Sequence, residues 1–234
     1  MKFAHAGDDS YEDVGGGVVL HSAPGHPGFP ARLALELFAR AQALAGKEHV
    51  GLWDPMCGAG GIVTTIALLR PQALTRVLAT DVSPSALELA ARNLPLTSAT
   101  GLTARRGELA ARGVSPARLA SIDRLLAVPG RSDDLPVAVA RADVTDAAGL
   151  ASLDLDGIDV AIADLPYGQQ TGWAAPSDSA AASALESLER VLHPGAVIVF
   201  ITTEREHLRP LPPATRSFRH GHRHIRMFRA GDPI

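Results

Sequence analysis

The chain has one cysteine, two lysines and no long apolar run, and each shortage narrows what it can be. A lone thiol, Cys57, excludes an internal disulfide framework and a cysteine-built zinc site. No stretch approaches the roughly 20 apolar residues that span a bilayer, and Met1 to Asp9 lack the apolar core of a secretion signal. A cytoplasmic protein is the expectation, with no membrane partner and no metal. Lysine is confined to Lys2 and Lys47, so cationic chemistry rests on arginine. Net charge is only −3, which gives no global pull toward nucleic acid. The distribution is uneven: residues 204 to 234 hold seven arginines against Glu204, Glu206 and Asp232, and four of the nine histidines. A basic end on an acidic body fits either a phosphate-facing edge or a solvated strand and loop.

With 234 residues and 46% apolar content, the chain can form one large α/β domain. Residues 1 to 13 read as loosely attached, and Gly15 to Gly17 open a short extended stretch, Val18 to Leu20. A turn-rich segment, His21 to Pro30, leads into a helix with Leu33, Leu37, Phe38, Ala41 and Leu44 on one face, stopped by Gly46. Strands then alternate with helices. Strands are expected at Val50 to Trp53, Arg76 to Thr80, Val137 to Ala142, Ile158 to Ala163 and Ala196 to Thr202. Helices are expected at Ile62 to Leu69, Ser83 to Asn93 and Ala180 to Leu192, and two final antiparallel strands at Ser217 to His222 and Arg223 to Ala230. This alternation predicts a doubly wound, Rossmann-like α/β sheet, mostly parallel with an antiparallel C-terminal strand. Over 40 residues separate Asn93 from Val137, so a helical insertion at about 101–135 is expected on the sheet's rim, carrying Arg105, Arg106, Arg112, Arg118, Arg124 and Arg131. Residues 1–46 would be an N-terminal extension and helix packed on a catalytic domain of 47–234.

The apolar run Val160 to Ala163 ends in Asp164-Leu165-Pro166-Tyr167-Gly168. An acid, an apolar residue, a proline and an aromatic ring at a strand's end suit methylation of a planar nitrogen, whose lone pair is delocalised into its ring. Asp164 can accept the proton, Pro166 fixes the Leu165 carbonyl, and Tyr167 offers a stacking surface. Upstream, Trp53-Asp54-Pro55-Met56-Cys57-Gly58-Ala59-Gly60 ends the first strand with a glycine turn. An acid here repels phosphate but suits an amino acid's ammonium, so Asp54 is placed toward the ammonium and the Gly58 to Gly60 amides toward the carboxylate of S-adenosyl-L-methionine. Asp81, with Val82, follows 21 positions after Gly60, the spacing of a ribose-binding acid. Asp143, with Val144, ends the third strand, where it can meet an adenine amine. Helix N-capping is the other role open to these acids.

These residues resemble class I S-adenosylmethionine-dependent methyltransferases and, more narrowly, the AviRa family of avilamycin-resistance methyltransferases. The likeness is carried by Gly17 to Gly25 with Phe29 to Leu33, by Leu52 to Pro55 with Cys57, Gly58 and Gly60, by Asp81 with Leu87 to Ala91, Asn93 and Leu94, and by Asp164 to Gly168 with Trp173. It implies a methyltransferase fold and an enzyme that methylates a guanine of 23S ribosomal RNA in the large subunit, with S-adenosyl-L-methionine as cofactor. It further implies antibiotic resistance as a consequence, and an N-terminal segment and insertion that help hold RNA. Gln169-Gln170 stand where the family has charged residues, and the insertion differs in detail. Other planar amines (adenine in nucleic acid, a protein glutamine, a small metabolite) and a non-catalytic RNA-binding role stay open.

Among single residues, Cys57 suits packing in the cofactor turn rather than nucleophilic attack. His21 and His26 are candidates for phosphate or cofactor contact, or for a turn. Arg32, a cation in a helix's first turn, runs against the helix dipole and so is a candidate for substrate. Trp173 can stack or form a lid. His220, His222 and His224 alternate as on one strand face, without the acid or cysteine that would complete a metal site. A monomer is expected.

Overall fold

The computed structural model describes residues 3–7, 11–26, 28–166 and 177–232. In chain order its helices are α1 (Glu12–Gly15), α2 (Ala31–Ala45), α3 (Gly61–Leu69), α4 (Pro84–Asn93), α5 (Ala99–Ala111), α6 (Pro116–Leu126), α7 (Ala147–Leu150) and α8 (Ser177–Val191). The strands are β1 (Val50–Asp54), β2 (Leu74–Asp81), β3 (Val137–Arg141), β4 (Ile158–Asp164), β5 (Val197–Thr202), β6 (Arg216–His220) and β7 (Arg223–Arg229). They form one sheet in the order β3-β2-β1-β4-β5-β7-β6, with β1 to β5 parallel and β7 antiparallel to both its neighbours. This is the expected doubly wound, mostly parallel architecture. The chain leaves β1 toward β2 and returns on its other side as β4, so the order reverses between β1 and β4, where open α/β sheets bind ligands.

Alternation along the strands divides the core. Val50, Leu52, Val77, Ala79, Val160, Ile162, Val199, Ile201 and Ile225 pack with Leu33, Leu37 and Phe38 of α2 and with α3. Trp53, Leu78, Ala161, Ala163, Ile198 and Phe200 face the opposite way, against Ala181, Ala184, Leu185 and Leu188 of α8. Local signals set the helix ends. Ser83 caps α4, its hydroxyl accepting from Ala86 N at 3.4 Å ahead of Pro84, and Gly46 ends α2 at φ 70°. No helix among the described residues is long and apolar enough to cross a membrane.

Four expectations need correction. The N-terminal residues are tied down: the amides of Ala4, His5 and Ala6 donate to the Glu36 carboxylate at 2.8–2.9 Å. Burial alone would raise the Glu36 pKa, but these donors and Arg40 bring it to about 2. Val18 to Leu20 form bends, not a strand; their carbonyls are taken by Arg105, whose Nε and Nη2 donate to Val19 O and Val18 O. His220, His222 and His224 do not share a strand face, because Gly221 (φ 57°) reverses the chain between β6 and β7. Most of the insertion arginines, finally, are engaged within the protein. Arg105 is buried. Arg131 caps Leu68 O, Thr97 O and Leu125 O, while Arg106 pairs with Asp123, Arg112 with Glu108 and Arg124 with Asp13. Only Arg118 of the six has no such partner among the described residues. The insertion is a buttress: Leu102, Leu109, Leu119, Ile122 and Leu125 pack with Val14, Val19 and Leu68 rather than along an open rim.

Candidate functional site

Four acids line one edge of the sheet in the order of the strands: Asp143 just past β3, Asp81 at the end of β2, Asp54 at the end of β1 and Asp164 at the end of β4. Strand parity gives Asp54, Asp81 and Asp164 the same face as Leu52, Ala79 and Ile162, the face covered by α2 and α3. Asp54 and Asp164 flank the point where strand order reverses.

The four differ in how they are satisfied. Asp81 accepts from Gly58 N at 2.8 Å and from Ser83 N at 2.9 Å, one bond on each oxygen. Asp143 Oδ1 accepts from both the amide and hydroxyl of Thr145, at 2.9 and 2.7 Å, in a local turn. Asp54 is 1% exposed and accepts from Met56 N at 3.2 Å. Burial pushes its pKa well up, and the charges of Asp81 and Asp164 add to the rise. Asp164 Oδ1 is buried with no hydrogen-bond partner. Burial lifts the Asp164 pKa to about 7, against a smaller opposing pull from Arg223. An acid cluster so short of counter-charge calls for a cationic ligand.

The turn after β1 is closed from within. Cys57 N donates to Thr80 O at 2.9 Å, Gly60 N to Cys57 O at 2.7 Å, and Gly58 N to Asp81. The Gly58 and Gly60 amides, expected to face a ligand carboxylate, are therefore engaged inside the protein; the donors left over are those of the first turn of α3. Gly60 sits at φ 73°, and a Cβ there would lie 2.8 Å from Leu94 Cδ1, so glycine is required. Pro55 is buried and Cys57 buried with its thiol pKa raised, which suits packing and not nucleophilic attack. Val82, by contrast, is an exposed apolar side chain next to Asp81, while Val144 is buried.

Past β4, Leu165 N donates to Ile201 O at 2.8 Å, so the strand's pairing continues through the motif and fixes where Pro166 begins to turn away. Tyr167 and Trp173 lie outside the described residues.

Asn93 emerges as a residue that sequence reasoning did not assign. Its buried amide donates to Ala59 O (2.9 Å) and His21 O (3.0 Å) and accepts from His21 N (2.7 Å), joining the N-terminal segment to the cofactor turn. Its place at the end of a helix with Leu94 was the only signal. The His21 ring meets Arg92 at 2.9 Å; burial, then Arg105 and Arg92, lower its pKa to about 4, so it is neutral near pH 7. Arg32 stacks over Phe3 at 4.2 Å and reaches Ala6 O. Both residues thus anchor the N-terminal segment. Among the described residues no group of three or more His, Cys, Asp or Glu side chains is placed to hold a metal.

The family model for the rRNA methyltransferase AviRa matches residues 1–223. A curated 23S rRNA (guanine(2535)-N(1))-methyltransferase from Streptomyces viridochromogenes is 42% identical over 237 residues, covering 95% of this chain and 93% of the relative. The solved rRNA methyltransferase aviRa of the same organism superposes with a TM-score of 0.84 at 40% identity, over 98% of this chain and 97% of that one. TrmN from Thermus thermophilus matches at a TM-score of 0.51 and 18% identity, over 88% of this chain and 51% of that one, a likeness of fold alone.

Proposed function

The chain belongs to the AviRa family of rRNA methyltransferases, and from that premise we propose that it methylates N1 of a guanine in 23S ribosomal RNA with S-adenosyl-L-methionine, in the cytoplasm. Protection of the ribosome from a drug that binds there would follow. The observation that carries the chemistry is the buried Asp164 carboxylate, with one oxygen unpartnered and a pKa near 7. A base is most effective when its pKa lies near the working pH.

When bound, the cofactor would supply an electrophilic methyl on a cationic sulfur that would depart as a neutral thioether. The residues present fit it: Asp54, Asp81 and Asp164 make an acidic cluster suited to a ligand bearing sulfonium and ammonium groups. Asp54 would hold the ammonium, Asp81 the ribose hydroxyls, and Asp143 the adenine amine, with Val82 and Val144 beside the ring. Pro55, Cys57, Gly58 and Gly60 shape the turn. The guanine would leave its stack, as bases must for enzymatic chemistry, with Tyr167 and Trp173 as the aromatic rings assigned to bind it. Asp164 takes the N1 proton, and the N–H bonding pair becomes the N–CH3 bond. Leu165 O and Pro166 hold the base in line, so much of the rate comes from positioning. His21 and Arg32 serve substrate by fixing the N-terminal segment beside it.

The test is transfer of labelled methyl from S-adenosyl-L-methionine into unmodified bacterial rRNA, naked and in subunits, with the product base identified by mass spectrometry. Label in N1-methylguanine of 23S rRNA, absent with Asp164→Ala, is expected. Label confined to protein, small molecules or another base would overturn the reading.

A further inference from the structure

We propose that Arg223 completes the guanine site, donating to the base's O6 while Asp164 accepts from N1–H, so that this acid and this cation together read guanine against adenine. The inference rests on the function proposed above.

The register brings the two side chains to one place. Asp164 is level with Ile201 of β5, and Ile201 with Ile225 of β7. Laterally paired residues share a face, and Arg223 is two residues before Ile225, so Asp164 and Arg223 stand on the same face of the sheet. They also stand at the same edge, because antiparallel β7 begins where parallel β4 and β5 end. Their backbones are two strand spacings apart across the sheet and two residues apart along it, about 12 Å in all, a gap their side chains narrow from both sides. They form no salt bridge with each other, yet Arg223 lowers the Asp164 pKa through space. The Arg223 guanidinium lies 5.4 Å over the Phe29 ring, in the turn-rich segment that leads into α2, which fixes its plane. Its Nε is buried without a hydrogen-bond partner, and the side chain makes no hydrogen bond or ion pair among the described residues.

A buried acceptor and a buried donor, each unpartnered and held apart, match a ligand edge with a donor at one end and an acceptor at the other. Guanine's Watson–Crick edge offers N1–H and O6 in that arrangement. Adenine offers the reverse polarity, a lone pair at N1 and a donor at N6, and would set lone pair against carboxylate and N–H against cation. As the N1 proton passes to Asp164, negative charge grows on O6, where a fixed cation stabilises the transition state more than the ground state.

The experiment uses a ligated 23S rRNA fragment with guanosine or 6-thioguanosine at the methylated position, with wild type and Arg223→Met. Removing one such donor should lower kcat/KM on guanosine about 100-fold, with the cofactor Kd unchanged. Sulfur is a weak acceptor, so it should cost wild type about tenfold and Arg223→Met less than about threefold, the non-additivity expected of groups in contact. If Arg223→Met does not fold, Arg223→Leu, which likewise has no donor, carries the same cycle. Equal thio penalties in both proteins, or Arg223→Met turning over like wild type, would overturn the inference alone. Failure of wild type to make N1-methylguanine would overturn the function it rests on as well.

Discussion

Asp81 and Asp143 on one side, and Asp54 and Asp164 on the other, are the same residue at the same kind of place, the C-terminal edge of a parallel strand. Their surroundings differ. Asp81 holds two backbone amides and Asp143 a local turn. Asp54 has one bond in full burial, and Asp164 Oδ1 has none. A hydrogen-bonded acid is already stabilised by the protein; a desolvated one is stabilised only when a ligand brings donors or positive charge. Position puts all four at the ligand edge, and satisfaction separates the pair that builds the site from the pair that waits for its occupant.

The comparison predicts its largest effect at Asp164. Asp164→Asn keeps the volume and removes the base, so kcat should fall about 1,000-fold, with cofactor affinity, measured by calorimetry, within a few-fold of wild type. Turnover near the wild-type rate would remove the distinction between the pairs. Asp54→Asn should act on binding instead. The amide oxygen can still accept from Met56 N, while the buried charge is gone, so the free protein should melt a few degrees higher. Cofactor affinity should drop about 10- to 100-fold, the scale of one lost charge-assisted bond. Lower stability with unchanged affinity would show Asp54 to be structural.

Titration tests Asp164 twice, in activity and in stability, with opposite signs. Asp164 works as a base only when ionised, so kcat/KM should rise about tenfold per pH unit below its pKa of about 7 and level off above it. Stability runs the other way. A folded pKa raised above the unfolded value of 3.8 means the folded state binds the proton more tightly. This contribution is full below about pH 4 and is lost as pH climbs toward 7. Glu36, lowered to about 2, has the opposite sign: its contribution is present above about pH 4.5 and is lost as pH falls toward 2. The difference between wild type and Asp164→Asn isolates the Asp164 slope, and parallel melting curves across pH 4 to 7 would show that its carboxyl is not desolvated.

The sequence displayed these acids because each follows an apolar strand, and it displayed the helix boundaries because Ser83-Pro84, Ser115-Pro116 and Gly46 act locally. Satisfaction was hidden because it is not local. Gly58 and Asp81 are 23 positions apart, and Arg105 reaches Val19 across 86. An arginine on an amphipathic helix gives no sign of the carbonyls it serves, which is why the roles of Arg105 and Arg131 were hidden. Glu36, among apolar neighbours on α2, gave no hint that it gathers the N-terminus. Arg223 needed the register of β7 before it could be placed beside Asp164.

The next effect is on structure and binding together. Asp81→Ala strands the amides of Gly58 and Ser83, which should cost about 1–3 kcal/mol, and weakens cofactor binding because the turn loosens and the acceptor for the ribose hydroxyls is lost. Asp81→Asn cannot replace it, since its NH2 group would meet one of those two N–H donors. Asn-like stability equal to wild type would break the claim that Asp81 is a builder.

Asp143 should give the smallest change. Both bonds fall on one oxygen and both come from Thr145, two residues away, so Asp143→Ala loses a local turn and leaves little else unpaired. About 1 kcal/mol of stability is at stake, read as a shift of a few degrees in the melting temperature. In the wild type its Oδ2 is the oxygen available to the adenine amine, so Asp143→Ala should also weaken cofactor binding, by about tenfold or somewhat more. Thr145→Val tests the same turn from its other end: it removes the hydroxyl donor but not the amide or the acid. If Asp143→Ala abolishes binding while Thr145→Val is silent, Asp143 belongs with Asp54 and Asp164, and the division between satisfied and waiting acids must be redrawn around contact with the ligand.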